Sequence, residues 1–188
     1  EPQPGTRLLN GQSVRAFNLL LADAVASAVA AGERVLILGG DCSILLGALA
    51  GARRVTPLSL VHVDGHSDFR HPGNYDPQAT LSAVGGMALA LATGRGETLL
   101  TDWPGVPTPL VPDAQVIQIG EREGRNDDFP WPDIAQTAID RIDVFAARQA
   151  GMTSVLERIA GTLDRTAWPF WLHLDIDVLD QTVMPAVD

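Results

Sequence analysis

Residues 172–180 read LHLDIDVLD. They close an apolar run, Trp168, Pro169, Phe170, Trp171 and Leu172, and set three aspartates, Asp175, Asp177 and Asp180, at its end. A carboxylate is among the worst groups to take out of water without a partner. A strand that ends this way needs something to hold the charges.

Working outward, three further apolar runs end in glycine or in aspartate and glycine. They are RVLILGG (34–40), LSLVHVDG (58–65) and AQVIQIG (114–120). With FWLHLDID (170–177) they read as four strands. Helix-like stretches lie between them. Residues 12–31 carry apolar positions at helical spacing and stop at Gly32. Residues 43–50 follow Ser43, a residue suited to cap a helix N-terminus. Residues 80–93 are rich in Ala and Leu, and 133–150 and 152–163 are separated by Gly151. Strand–helix alternation predicts an α/β protein with a mainly parallel sheet covered on both faces, its strands buried on both sides. The segments 101–113, with four prolines, and 121–132 read as loops. No shift in composition marks a second domain, so residues 1–188 are expected to form one.

Composition narrows the function. A net charge of −10 disfavours nucleic acid, which needs a basic stripe. All 13 basic residues are arginine, so Schiff-base chemistry and a P-loop phosphate site, both of which use a lysine amine, are excluded. The same lack argues against an aspartyl-phosphate reading of LDIDVLD. Cys42 is the single cysteine, so no intrachain disulfide forms, and a cytoplasmic protein is expected. No apolar run reaches about 18 residues and no signal peptide is evident, so no membrane partner is expected.

Ligands of open parallel sheets bind beyond the carboxyl ends of the strands. Those ends carry Gly39-Gly40-Asp41-Cys42-Ser43, Asp64-Gly65-His66-Ser67-Asp68, Gly120-Glu121-Arg122-Glu123 and Asp175-Ile176-Asp177. In extended chain, Asp64, His66 and Asp68 point to one face, as do Asp175 and Asp177. Carboxylates converging at one edge repel one another, and divalent cations remove the conflict. Four carboxylates and an imidazole suit hard or borderline ions, and a pair of ions sharing a water makes hydroxide at neutral pH. Asp64 and Asp175 are best placed to bridge such a pair. A lone DxD also caps helices; the two patterns together favour a metal site. Asp180 reads as a cap or a second acceptor rather than a ligand. His62 and His173, each two residues before a ligand aspartate, read as core histidines satisfied by neighbours, or else as groups that orient the ligands. His71 reads as an exposed loop residue.

The chain resembles the arginase family, or ureohydrolases, whose signatures are GGDHS, DAHxD and SxDxDxxDP; here GGDCS (39–43), DGHSD (64–68) and HLDIDVLDQ (173–181) stand in the same order. The resemblance implies a three-layer α/β/α fold and two manganese ions, with nickel or zinc as alternatives. It implies a metal-bridging hydroxide that attacks the carbon of a guanidino or amidino compound and breaks a C–N bond. Asp64, His66, Asp68, Asp175 and Asp177 match family ligands. Cys42 stands where the family has a histidine ligand; as a thiolate it favours zinc, and a buried neutral thiol is the other reading. Gly85 stands where relatives often carry a histidine that shuttles protons. Arg70 and Glu123 match positions that touch substrate, and Arg70 would attract a substrate carboxylate. The resemblance also implies a trimer or hexamer. It implies an internal portion of the family domain, incomplete at both ends, with the catalytic glutamate beyond Asp188. A degenerate, non-catalytic member serving as a subunit or binding protein is the alternative.

Overall fold

The computed structural model describes residues 1–74, 83–125 and 132–185. The chain divides into two compact units, Glu1–Pro57 with Asp68–Val111, and Leu58–Ser67 with Pro112–Asp188.

The first unit is helical. Its elements are α1 (Gly11–Ala30), α2 (Ile44–Arg53), α3 (Ala88–Ala92) and α4 (Thr98–Thr101). The pairing of α1 with α2 is close because α2 carries Gly51 at the crossing. A Cβ there would sit 2.5 Å from the Ala22 carbonyl oxygen and 2.8 Å from Val25 Cβ, so no larger residue fits without parting the helices. Asn18, fully buried on α1, completes the contact: its Oδ1 accepts from the Gly47 amide at 2.7 Å, one of the four amides an α-helix leaves without an internal partner. Leu45, Leu46, Leu49, Leu89 and Leu91 are buried in this unit. By length and composition α1 could cross a bilayer, alone among the described helices, because its few polar residues interrupt the apolar run yet leave its mean hydropathy high. The sequence expectation counted only uninterrupted apolar runs.

Two sequence expectations fail here. Residues 34–40 form no strand: Leu36 and Leu38 are 80% and 83% exposed, and no described strand offers this segment a hydrogen-bond ladder. Ser43 precedes α2 but makes no side-chain cap; instead Asp41 Oδ1 accepts from the Ser43 amide at 2.8 Å. The proline-rich segment is loop over 102–112 as expected, between α4, which ends at Thr101, and a 3-10 turn over Asp113–Gln115. Part of the expected 80–93 helix lies outside the described residues; the remainder is a 3-10 turn, Gly85–Met87, leading into α3.

The second unit holds a four-stranded parallel sheet of β1 (Ser59–Val63), β2 (Val116–Ile119), β3 (Asp140–Ile142) and β4 (Phe170–Leu174), in the order β3-β2-β1-β4. Helix α5 (Val144–Leu163) covers it, packing Ile159 and Leu163 against a core of Val61, Ile117, Ile119, Ile142 and Val155. Gly151 interrupts α5 with φ 80° and ψ 162°, where the sequence placed a break. The expected helix over 133–150 is corrected: a 3-10 turn (Pro132–Gln136) and β3 precede α5. Asp143 caps α5, accepting from the Ala146 amide at 2.7 Å while Arg125 grips the same carboxylate through two nitrogens at 2.9 and 3.0 Å. The expected loop 121–132 falls partly outside the described residues; 121–125 is irregular. Burial on both sides holds for β1 and β2 but not for β4, an edge strand whose Phe170, Leu172 and Leu174 are more than half exposed.

Candidate metal centre

The ladder aligns the strand ends. The Asp64 amide donates to Ile119 O at 3.0 Å, the Asp175 amide to Val63 O at 2.9 Å, and the Gly120 amide to Ile142 O at 2.9 Å. Asp64, Asp175 and Gly120 therefore leave the sheet side by side.

After each aspartate the chain turns at once. Asp64 Oδ1 accepts from the His66 amide at 2.7 Å, and Asp175 Oδ1 accepts from the Asp177 amide at 2.9 Å, opening the 3-10 turn Ile176–Val178. Both are aspartate turns, in which the side chain bonds the amide two residues on. This corrects the geometry read from the sequence: 64, 66 and 68 do not alternate along extended chain, and Asp68 takes a left-handed φ of 47°.

The turns interlock. Asp177 Oδ1 accepts from the Gly65 amide at 2.8 Å, and its Oδ2 lies 2.7 Å from His66 Nδ1, which is 3.9 Å from Asp64 Oδ1. Ligand atoms of Asp64, His66 and Asp177 all fall within 4.8 Å of one another, and so do those of Asp64, His173 and Asp175. Arg122 fastens the turns from outside, its guanidinium donating to the Asp177 carbonyl and its amide to Gly65 O. Glycine at residue 65 makes room for this contact, since a Cβ would crowd that guanidinium and approach Asp177 O at 2.7 Å, so that a larger residue requires them to shift. Glu121, fully buried, accepts from the amides of Glu123 and Gly124 and pairs with Arg141 at 3.3 Å. A cavity of about 290 Å³ opens beside the turns, lined by His66, Arg122, Glu123, Asp180 and Gln181.

Electrostatics follow from these contacts. The hydrogen bond to Asp177 raises His66 above the usual histidine value, against burial. Burial would raise Asp177, but hydrogen bonds from His66 and the Gly65 amide outweigh it and hold the carboxyl low. Burial, then the neighbouring His173, keep His62 well below its ordinary value, and burial also lowers His173. The two rings stack, centroids 5.1 Å apart and planes 19° from parallel. Among the described residues neither His62 nitrogen has a hydrogen-bond partner, and His173 Nε2 has none, so these residues do not satisfy them as one expectation had it.

Of the expected site residues, the second unit brings together Asp64, His66, Asp175 and Asp177, with Glu123 on the adjoining cavity. Cys42, Asp68 and Arg70 belong to the first unit; Cys42 and Asp68 are buried, and the Arg70 amide donates to Gly86 O at 3.2 Å. Asp180 is exposed, and its Oδ1 accepts from the amide and hydroxyl of Thr182 at 2.9 and 2.6 Å, a local turn. His71 is half-buried rather than exposed, edge-on to Phe69 at 5.3 Å. The sequence did not single out Arg122, Glu121 or Arg141; an arginine shortly after a strand-ending glycine was the available signal for the first.

Carboxylates and imidazoles gathered beyond the carboxyl ends of parallel strands form groups that could hold a metal ion, in an α/β protein. The chain belongs to the arginase family, whose model matches residues 8–188. It is 32% identical to an arginase of Bacillus caldovelox over 98% of its own length and 60% of that protein. The solved structure of arginase from Bacillus caldovelox superposes with a TM-score of 0.83 at 31% identity, over 97% of this chain and 59% of that one. That of Bacillus subtilis superposes with a TM-score of 0.82 at 29% identity, over 97% and 61%. The fold is thus the arginase-like α/β fold. The chain spans about three fifths of the length of these relatives.

Proposed function

We propose that this protein is a binuclear-metal hydrolase that cleaves a C–N bond of a small guanidino or amidino compound. The observation that carries the reading is the pair of interlocked aspartate turns, which set two carboxylate–imidazole groups around the shared Asp64. The donor set fits divalent metal: oxygen and nitrogen ligands suit manganese, nickel or zinc, and histidine nitrogens lie buried beside it without hydrogen-bond partners among the described residues.

Asp64, His66, Asp175 and Asp177 would hold the ions, with Asp68 and Cys42 as further candidates. Bound there, the ions supply Lewis acidity and a water made acidic enough to ionise near neutral pH. The chain's own residues do the positioning. Each aspartate turn fixes its carboxylate against its own backbone, Arg122 locks one turn to the other, and Glu123 faces the cavity where a substrate's amine would lie. Arg70 is proposed to draw a substrate carboxylate. The same reading carries manganese as the metal, the cytoplasm as the compartment and a homo-oligomer as the assembly.

Metal content after manganese loading and gel filtration tests this first, followed by urea release from L-arginine, agmatine and 4-guanidinobutyrate. Two equivalents per chain with urea release supports the hydrolase. No bound metal rejects it in favour of a non-catalytic member of the family. Arg70→Ala is expected to raise KM for 4-guanidinobutyrate more than for agmatine; equal effects would reject the role of Arg70.

A further inference from the structure

His62 and His173 face each other in register on β1 and β4, each two residues before a ligand aspartate and therefore on the same face as it. We propose that His173 is itself a metal ligand, so that each of two metal positions takes one imidazole: Asp64, His66 and Asp177 at one, Asp64, His173 and Asp175 at the other. The inference rests on the metal-hydrolase reading above.

Three observations support it. A ring nitrogen of His173 lies within 4.8 Å of carboxylate oxygens of both Asp64 and Asp175, a spacing that one ion spans. His173 Nε2 is buried and lacks a hydrogen-bond partner among the described residues, a desolvation cost that none of them offsets. Thirdly, His173 is held in place: His62, fully buried, stacks on it, and His62 Nε2 lies 3.6 Å from Asp64 Oδ2. His62 constrains the His173 ring by stacking on it, which makes it a positioning residue in this assignment.

The test is manganese binding by the full chain, read by equilibrium dialysis and by X-ray absorption at the manganese edge, which registers imidazole scattering. The unsubstituted protein is expected to bind two ions with an average of one imidazole each. His173→Ala is expected to lose one equivalent, and added free imidazole to restore it. Two ions bound by the variant as tightly as before, with undiminished imidazole scattering, would overturn the assignment and leave the hydrolase reading standing. No metal in the unsubstituted protein would overturn both. Should the variant fail to fold, the unsubstituted protein still decides, because one imidazole shared between two ions excludes His173.

Discussion

Strands β1 and β4 lie side by side and end alike, yet their surroundings differ. β1 is central, and its first four residues are buried. β4 is an edge strand whose exposed apolar residues alternate with half-buried ones. Both close on an aspartate whose Oδ1 accepts from the amide two residues on, at 2.7 and 2.9 Å. The turn that shapes the site is thus written locally, in three residues, and needs no particular depth. Depth decides something else: how much each strand contributes to stability and how far each carboxylate is desolvated.

That contrast can be broken in four ways. The largest effect should come from Asp64, common to both carboxylate–imidazole groups. Asp64→Ala is expected to abolish manganese binding, whereas Asp177→Ala leaves one ion; atomic absorption on the two variants separates them. Next, Ile117→Ala in the core of β2 should cost about 2–5 kcal/mol, while Leu172→Ala on β4 should cost about 0.5 kcal/mol. Urea denaturation measures both, and equal costs would remove the contrast. Thirdly, Gly65→Ala should destabilise by about 1–3 kcal/mol by displacing Arg122, and Ile176→Ala, at the same place in the other turn but half exposed, by less than about 0.5 kcal/mol. The same denaturation curves compare the two turns.

The smallest effect concerns acid. Burial alone would raise Asp140 on β3, but hydrogen bonds from Arg158 and Thr162 on α5 outweigh it and hold the carboxyl below the usual aspartate value. A carboxyl depressed in the folded state stabilises above its unfolded pKa, and that stability is lost as pH falls through the folded value. Asp140→Asn should therefore lower stability at about pH 7 by about 1 kcal/mol or less and flatten the loss of stability as pH falls below the ordinary aspartate range, as read by denaturation at each pH.

Three strands were legible in the sequence because an apolar run closed by glycine or aspartate is what a buried parallel strand requires. Residues 34–40 have the same composition and still form no strand, since a strand exists only with a partner's ladder. β3 was missed for the opposite reason: Asp140-Arg141-Ile142 is short and charged, and only its Ile142 enters the core. In the site, aspartates and histidines could be read from their spacing. The buried Glu121–Arg141 pair could not, because its members stand 20 residues apart and neither spacing nor period links them. Whether His62 and His173 were satisfied could be decided only by seeing what surrounds their nitrogens.

The 2.7 Å contact between His66 and Asp177 makes a proton the rival of a metal ion. In the metal-hydrolase reading proposed above, both residues that share the proton would hold the metal, and the pairing that raises His66 tightens the protein's grip on the proton. Loading is therefore an exchange, one cation leaving as another enters. Mildly alkaline buffer should favour metal uptake, and mild acid should strip the site while the fold still stands.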